Sequence, residues 1–173
     1  YKAIKYMYDN KYISGTTSTT FSPKMKLTRG MLVTILHNME GKPNVSGKSK
    51  FPDVQNTNEY YYSAVKWASK NNIVNGYNNG KFGPNDPITR EQLAVMLNQY
   101  SIYKGTYKKT NADFTKFSDS NKISDFAKWG MNWAVGTGVI TGTTEKTLIP
   151  QGTASREEAA AMIYKYFLSL KNS

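Results

Sequence analysis

Three arginines stand in matching places: Arg29, Arg90 and Arg156 each follow a Thr or Ser at the head of an apolar stretch of helical period. Thr28, Thr89 and Ser155 suit a helix N-cap, because a hydroxyl oxygen accepts from an otherwise unpaired backbone N–H. Thr89-Arg90-Glu91-Gln92 and Ser155-Arg156-Glu157-Glu158 fit a reciprocal capping box, whereas Thr28-Arg29-Gly30-Met31 lacks its second half. Arginine in a first helical turn opposes the macrodipole by about 0.3–1 kcal/mol. Its recurrence therefore needs a reason. A guanidinium beside the free N–H groups of a helix start makes a site for a carboxylate or phosphate. The competing reading is an internal ion pair with Asp53, Asp119 or a first-turn glutamate.

The arginines close a longer pattern written three times without a gap. Tyr6, Trp67 and Trp133 are followed nine residues on by Gly15, Gly76 and Gly142, then by Pro23, Pro84 and Pro150, then by the arginines. Self-similarity at this scale marks one supersecondary unit used repeatedly. Repeat 2 spells it most fully. Phe51-Pro52-Asp53-Val54 opens it, the pattern predicts a helix from about Tyr60 to Asn71, and a turn rich in Asn and Gly runs from Asn75 to Pro87. A second helix starts at Thr89 and reaches about Tyr100. Its apolar face of Leu93, Met96, Leu97 and Tyr100 keeps register as Leu32, Ile35, Leu36 and Met39, and as Ala159, Met162, Ile163 and Tyr166.

These matches divide the chain into repeats at 1–41, 51–100 and 117–170, with linkers at 42–50 and 101–116. The second linker is the longer, and the Arg-to-Arg interval grows from 61 to 66 with it. Repeat 3 keeps Phe117-Ser118-Asp119, but the same segment of repeat 1 would precede Tyr1. The chain is therefore expected to be part of a longer protein, fused to another domain. Six helices with single apolar stripes cannot bury them alone. The expected fold is all-α: three helix-loop-helix repeats in a pseudo-threefold, monomeric unit, with the second helices as a central three-helix bundle.

The remaining recurrent residues each have two readings. Trp67 and Trp133, with Tyr6 in the same slot, belong either to the core or to a surface that offers a ring face to a sugar. Asp53 and Asp119 stand where a cap or an arginine partner would stand. Gly15, Gly76 and Gly142 are expected to supply the left-handed residue that ends each first helix, and would let a ligand approach the backbone. His37 has no ligand partner in sequence and reads as an ordinary helix histidine.

Composition narrows the chemistry. With no cysteine and one histidine among 173 residues, thiolate nucleophiles, Cys-ligated metals and His-based triads are excluded or nearly so, and no cofactor is expected. No apolar run approaches the roughly 20 residues that cross a bilayer. Glycan hydrolysis would need paired carboxylates, and acids are scarce, so no enzyme is expected. The net charge of +11 favours anionic partners without choosing among them. Nucleic acid is the alternative to an acidic polysaccharide, but the lysines are scattered through linkers and turns rather than aligned on a helix.

The recurring residues carry a resemblance. Phe51-Pro52-Asp53-Val54, Ala64-Val65-Lys66-Trp67-Ala68, Ile73-Val74-Asn75-Gly76-Tyr77, Gly80-Lys81-Phe82-Gly83-Pro84 and Ile88-Thr89-Arg90-Glu91 resemble the S-layer homology domain. Repeat 3 does so through Gly138-Val139-Ile140-Thr141-Gly142, and repeat 1 through Tyr12-Ile13-Ser14-Gly15 and Leu27-Thr28-Arg29. The resemblance implies a three-pronged unit that anchors surface proteins non-covalently at the bacterial cell wall, outside the cell. Its ligand would be an acidic, pyruvylated secondary cell-wall polysaccharide held in grooves between repeats. The family's Thr-Arg-Ala-Glu arginine falls on Arg29, Arg90 and Arg156, with Arg90 expected to lead. The sequence departs from the family at Tyr6, which replaces Trp, and at Gly30, Glu91 and Glu157, which replace the Ala after Arg.

Overall fold

Apolar residues at helical spacing produce the expected elements, with Thr or Ser capping the second helix of each repeat. The computed structural model describes residues 2–171, and among them the architecture is all-α. The first helices of the repeats are α1 (Lys2–Asp9), α3 (Tyr62–Lys70) and α5 (Lys128–Gly136). The second helices are α2 (Arg29–Met39), α4 (Arg90–Tyr103) and α6 (Arg156–Lys171). Two short 3-10 turns, Ser120–Lys122 and Asp125–Ala127, lead into α5. Thr28 and Thr89 cap α2 and α4 with their side chains, and α4 shows the full capping box.

Helix pairing runs between repeats, not within them. α2 packs on α3, α4 on α5 and α6 on α1, so each second helix covers the first helix of the following repeat and the last pair closes the circle. The close approach of α4 and α5 depends on Gly130, where a Cβ would lie 2.8 Å from the Val95 Cα. The slots predicted from register are buried, Leu32, Leu36, Leu93, Leu97, Ala159, Ile163, Tyr100 and Tyr166 among them, except Met39, which is only partly buried. At their far ends the second helices meet through side chains. The Tyr100 and Tyr166 rings lie 6.0 Å apart, and the Tyr100 hydroxyl donates to the Glu40 carboxylate.

A ring of backbone hydrogen bonds sits at the centre of the pseudo-threefold unit. Leu27 N–H donates to the Ala154 carbonyl, Ala154 N–H to the Ile88 carbonyl and Ile88 N–H to the Leu27 carbonyl, each at 2.9 Å. These three residues immediately precede the caps of α2, α6 and α4, and all are fully buried. Isolated bridges between Lys26 and Ser155, Thr28 and Pro87, and Thr89 and Thr153 surround the ring. The ring satisfies buried amides that no helix could satisfy, and it fixes the starts of the three second helices relative to one another.

The glycines do a different job from the one expected. The left-handed residues that end the first helices are Lys11, Asn72 and Gly138, with φ of 60°, 57° and 77°. Each stands four residues before Gly15, Gly76 or Gly142. Of these three only Gly142 has positive φ. What they supply is space. A Cβ on Gly76 would lie 2.7 Å from both the Lys81 carbonyl oxygen and the Phe51 ring, and one on Gly142 would strike Phe117. The corresponding surface at Gly15 lines an open groove of about 370 Å³ with Ile4, Tyr8 and Phe21.

Candidate functional site

The first turn of every second helix is already engaged by the next repeat. Arg29 and Gly30 N–H donate to the carbonyls of Asp86 and Pro84, Arg90 and Glu91 to those of Gly152 and Pro150, and Arg156 and Glu157 to those of Met25 and Pro23. The third N–H of each helix goes to its own cap, at 3.2 Å from Thr28, Thr89 and Ser155. The free helix-start N–H groups anticipated for an anion are thus consumed. The three guanidinium groups carry the charge by themselves.

Each guanidinium continues the same docking. Arg29 Nε donates to the Phe82 carbonyl at 2.8 Å, Arg90 Nε to Leu148 at 2.8 Å and Arg156 Nε to Phe21 at 3.0 Å. The accepting residues lie two before Pro84, Pro150 and Pro23, so the contact is equivalent in all three repeats. Arg29 and Arg156 add a second bond, to the carbonyls of Asn75 and Ser14 that precede Gly76 and Gly15. This accounts for arginine in an unfavourable first turn. The side chain reaches into the neighbouring repeat and satisfies loop carbonyls that would otherwise be buried unpaired.

The surroundings of the three groups differ. Arg29 is 4 % exposed, with its Cζ 4.5 Å from the Tyr77 ring centre and 4.8 Å from that of Phe82. Arg156 stacks on Phe21 at 4.6 Å. Arg90 has Leu148 where the others have phenylalanine, and its Nη1 instead meets the Glu158 carboxylate at 3.2 Å. Burial pulls the Arg29 guanidinium below its ordinary pKa against the opposing influence of Tyr77, Asp86 and Asp53, and burial does the same at Arg156. A guanidinium so shifted is still charged at neutral pH.

Asp53 and Asp119 neither cap a helix nor pair with arginine. The Asp53 carboxylate accepts from the Phe82 and Gly83 N–H groups at 2.9 and 2.8 Å, and Asp119 accepts from Leu148 and Ile149 at 2.8 Å each. They clamp the very loops whose carbonyls hold Arg29 and Arg90. Burial pushes both carboxyls up, but these N–H groups and the nearby Lys81 and Lys122 outweigh it, leaving both below the usual carboxylate range.

The aromatic slot belongs to the core. Trp67 is 1 % exposed and packs on His37, while Trp133 is 2 % exposed and packs on Tyr166, so neither indole offers a face to a ligand. Tyr6 is partly buried and seats α1 on α6 through Tyr164 and Phe167. His37 is an ordinary helix residue, 2.9 Å from the Pro43 carbonyl.

Beside Arg29 lies a groove of about 540 Å³ between repeats 2 and 3. The loop Ile73–Asn78 forms one wall, α4 contributes Gln92, Val95, Met96 and Gln99, and Phe126 of repeat 3 closes the rim. The lining holds one cation, no acid, four amide side chains and two aromatic rings. Of the sequence candidates, only Arg29 and Gly76 lie on it. Phe126 and its counterpart Tyr60, which bears on the charge of Arg156, are not among the sequence candidates for the site. Their signal was present: each stands seven residues before the repeat tryptophan.

Comparison with known proteins agrees with this architecture. The profile of the S-layer homology domain matches residues 1–30, 50–94 and 116–160. The chain is 32 % identical over 163 residues to an exoglucanase, XynX, of Acetivibrio thermocellus, covering 93 % of this chain but 15 % of that protein. It is 26 % identical to a surface-layer 125 kDa protein of Lysinibacillus sphaericus, across 93 % of this chain and 13 % of the other. A cellulosome-anchoring protein of Acetivibrio thermocellus is 24 % identical over 88 % of the chain and 34 % of its own length. With three matched segments set in one closed ring of repeats, the chain belongs to the S-layer homology domain family.

Proposed function

We propose that this unit is a non-covalent anchor at the bacterial cell surface, binding an acidic, pyruvylated secondary cell-wall polysaccharide in grooves between its repeats. The chain spans a small part of relatives named for an exoglucanase, a surface layer and cellulosome anchoring. What such different proteins have in common over this stretch is read as attachment, so the unit is a binding module and catalysis, where present, lies elsewhere in the parent. The observation that carries the reading is the groove at Arg29. Amides and two aromatic rings suit a sugar, and one guanidinium that forms no ion pair among the described residues suits its carboxylate. The Arg156 site, with no carboxylate partner among the described residues, is a second candidate. Arg90 ranks below both, because Glu158 already meets it.

Calorimetric titration with purified wall polysaccharide, intact and stripped of its ketal pyruvate, tests this. Saturable binding that falls at least about tenfold on stripping is expected; equal binding to both would sink the reading. The net charge of +11 also favours a general polyanion reading. Binding of that kind would extend to DNA, ignore pyruvate and fall steeply with salt.

A further inference from the structure

Exposed aromatic side chains continue in sequence beyond Phe126, which lines the Arg29 groove. Phe126 is 61 % exposed, and Trp129, one helical turn further along, is 48 % exposed. Gly130, next to Trp129, presses against the backbone of Val95 in the groove wall. The Trp129 ring lies 5.5 Å from that of Tyr107, and its N–H donates to the Tyr107 hydroxyl at 3.2 Å. Tyr107 comes from the longer linker. That linker is held on the outer side of α5 by Asn132, which bonds Thr110 and Ala112 at 2.7–3.0 Å, and by Thr110 lying over Gly136. The arrangement is particular to this junction: the repeat-2 counterparts of Trp129 and Asn132 are Ser63 and Lys66.

An indole half in water, braced by a tyrosine, is a costly thing to display without a partner. We propose that Phe126, Trp129 and Tyr107 form an aromatic ledge that takes the sugar units of the wall polysaccharide next to the one held at Arg29. The inference rests on the anchoring reading above and deepens it: the site recognises a stretch of polymer rather than a single acidic residue. Ring faces bordered by a phenol hydroxyl match the apolar face and hydroxyl rim of a sugar. The ledge itself carries no charge, so it would read sugars that lack the acid.

The test compares wall-polysaccharide fragments of one and of several repeating units against wild type, W129A and W129F. W129A is expected to weaken the longer fragment about tenfold, leave the single unit unchanged, and be largely rescued in W129F. Trp67 and Trp133 are buried, so a shift in tryptophan emission with the longer fragment alone would report Trp129. Equal affinities of wild type and W129A for the longer fragment overturn the ledge while leaving the anchor intact. So does an equal loss for both fragments, which would mark Trp129 as merely structural. If wild type binds neither fragment, the anchoring reading falls and the ledge with it.

Discussion

Arg29 and Arg90 occupy equivalent positions, yet their charges are met in opposite ways. Arg29 lies between Tyr77 and Phe82, with Gln92 on the groove lining. Arg90 has Leu148 in place of the phenylalanine, Thr143 in place of the tyrosine and Glu158 in place of the glutamine. Aromatic rings stabilise a buried cation without neutralising it, whereas a carboxylate takes up the charge that an anionic ligand would need. The docking of Nε onto the next repeat is the same in both cases. One clasp thus serves the fold everywhere, and the residue two positions after each arginine decides, one repeat back, whether a guanidinium is left for something else.

The comparison can be broken most severely by deletion. Arg29→Ala leaves the Phe82 and Asn75 carbonyls unpaired and is expected to cost about 3 kcal/mol in urea denaturation. Arg90→Ala, which frees one carbonyl and a half-exposed ion pair, should cost about 2 kcal/mol. Equal losses would mean that the two surroundings are energetically alike. A finer instrument is Gln92→Glu, which writes the repeat-3 arrangement into repeat 2. Since Glu158 keeps the capping bond to the Ser155 N–H, stability should move by less than about 0.5 kcal/mol. Affinity for the acidic polysaccharide should fall about tenfold in calorimetry.

The reverse change, Glu158→Gln, should cost no more than about 1 kcal/mol, because Glu158 is 44 % exposed. It should raise the number of acidic sugars bound per chain by one; unchanged stoichiometry would show that Glu158 is not what closes the Arg90 site. The smallest effect concerns the clamps. Asp53 and Asp119 have folded pKa values below the ordinary one of about 3.9. Their contribution is complete above that value and is lost as pH falls through the folded ones. Asp53→Asn should therefore flatten the acid limb of the stability curve, with Asp119→Asn doing the same for the Arg90 loop. An unaltered acid limb in both variants would remove the clamps from the account.

Much of the fold was legible because it is local. Thr28, Thr89 and Ser155 announced the second helices, and the slots from Leu32 to Tyr166 announced their buried faces, since capping and helical period act within a few residues. What is written between repeats was not legible. Nothing in the spacing of Thr89 and Arg90 says that the guanidinium will reach Leu148, 58 residues on. The same blindness hid the clamps: Asp53 stands before a helix in sequence but closes on Phe82 through space. Trp67 looked ambiguous because a stripe of Ala and Val fits one core face or one exposed face equally well, and only the arrival of α2 decided it. Gly76 stands where a helix terminator is expected, but the residue four earlier, Asn72, performs that task.

The Leu27–Ala154–Ile88 ring has a mechanical consequence. An open array of modules can fray from whichever end is pulled, losing one module at a time. Here the first and third repeats are also joined to each other, through the ring and through α1 on α6, so tension entering at one repeat is passed to the others. Such a unit should yield in a single event under load, a property suited to a tether that must hold in shear.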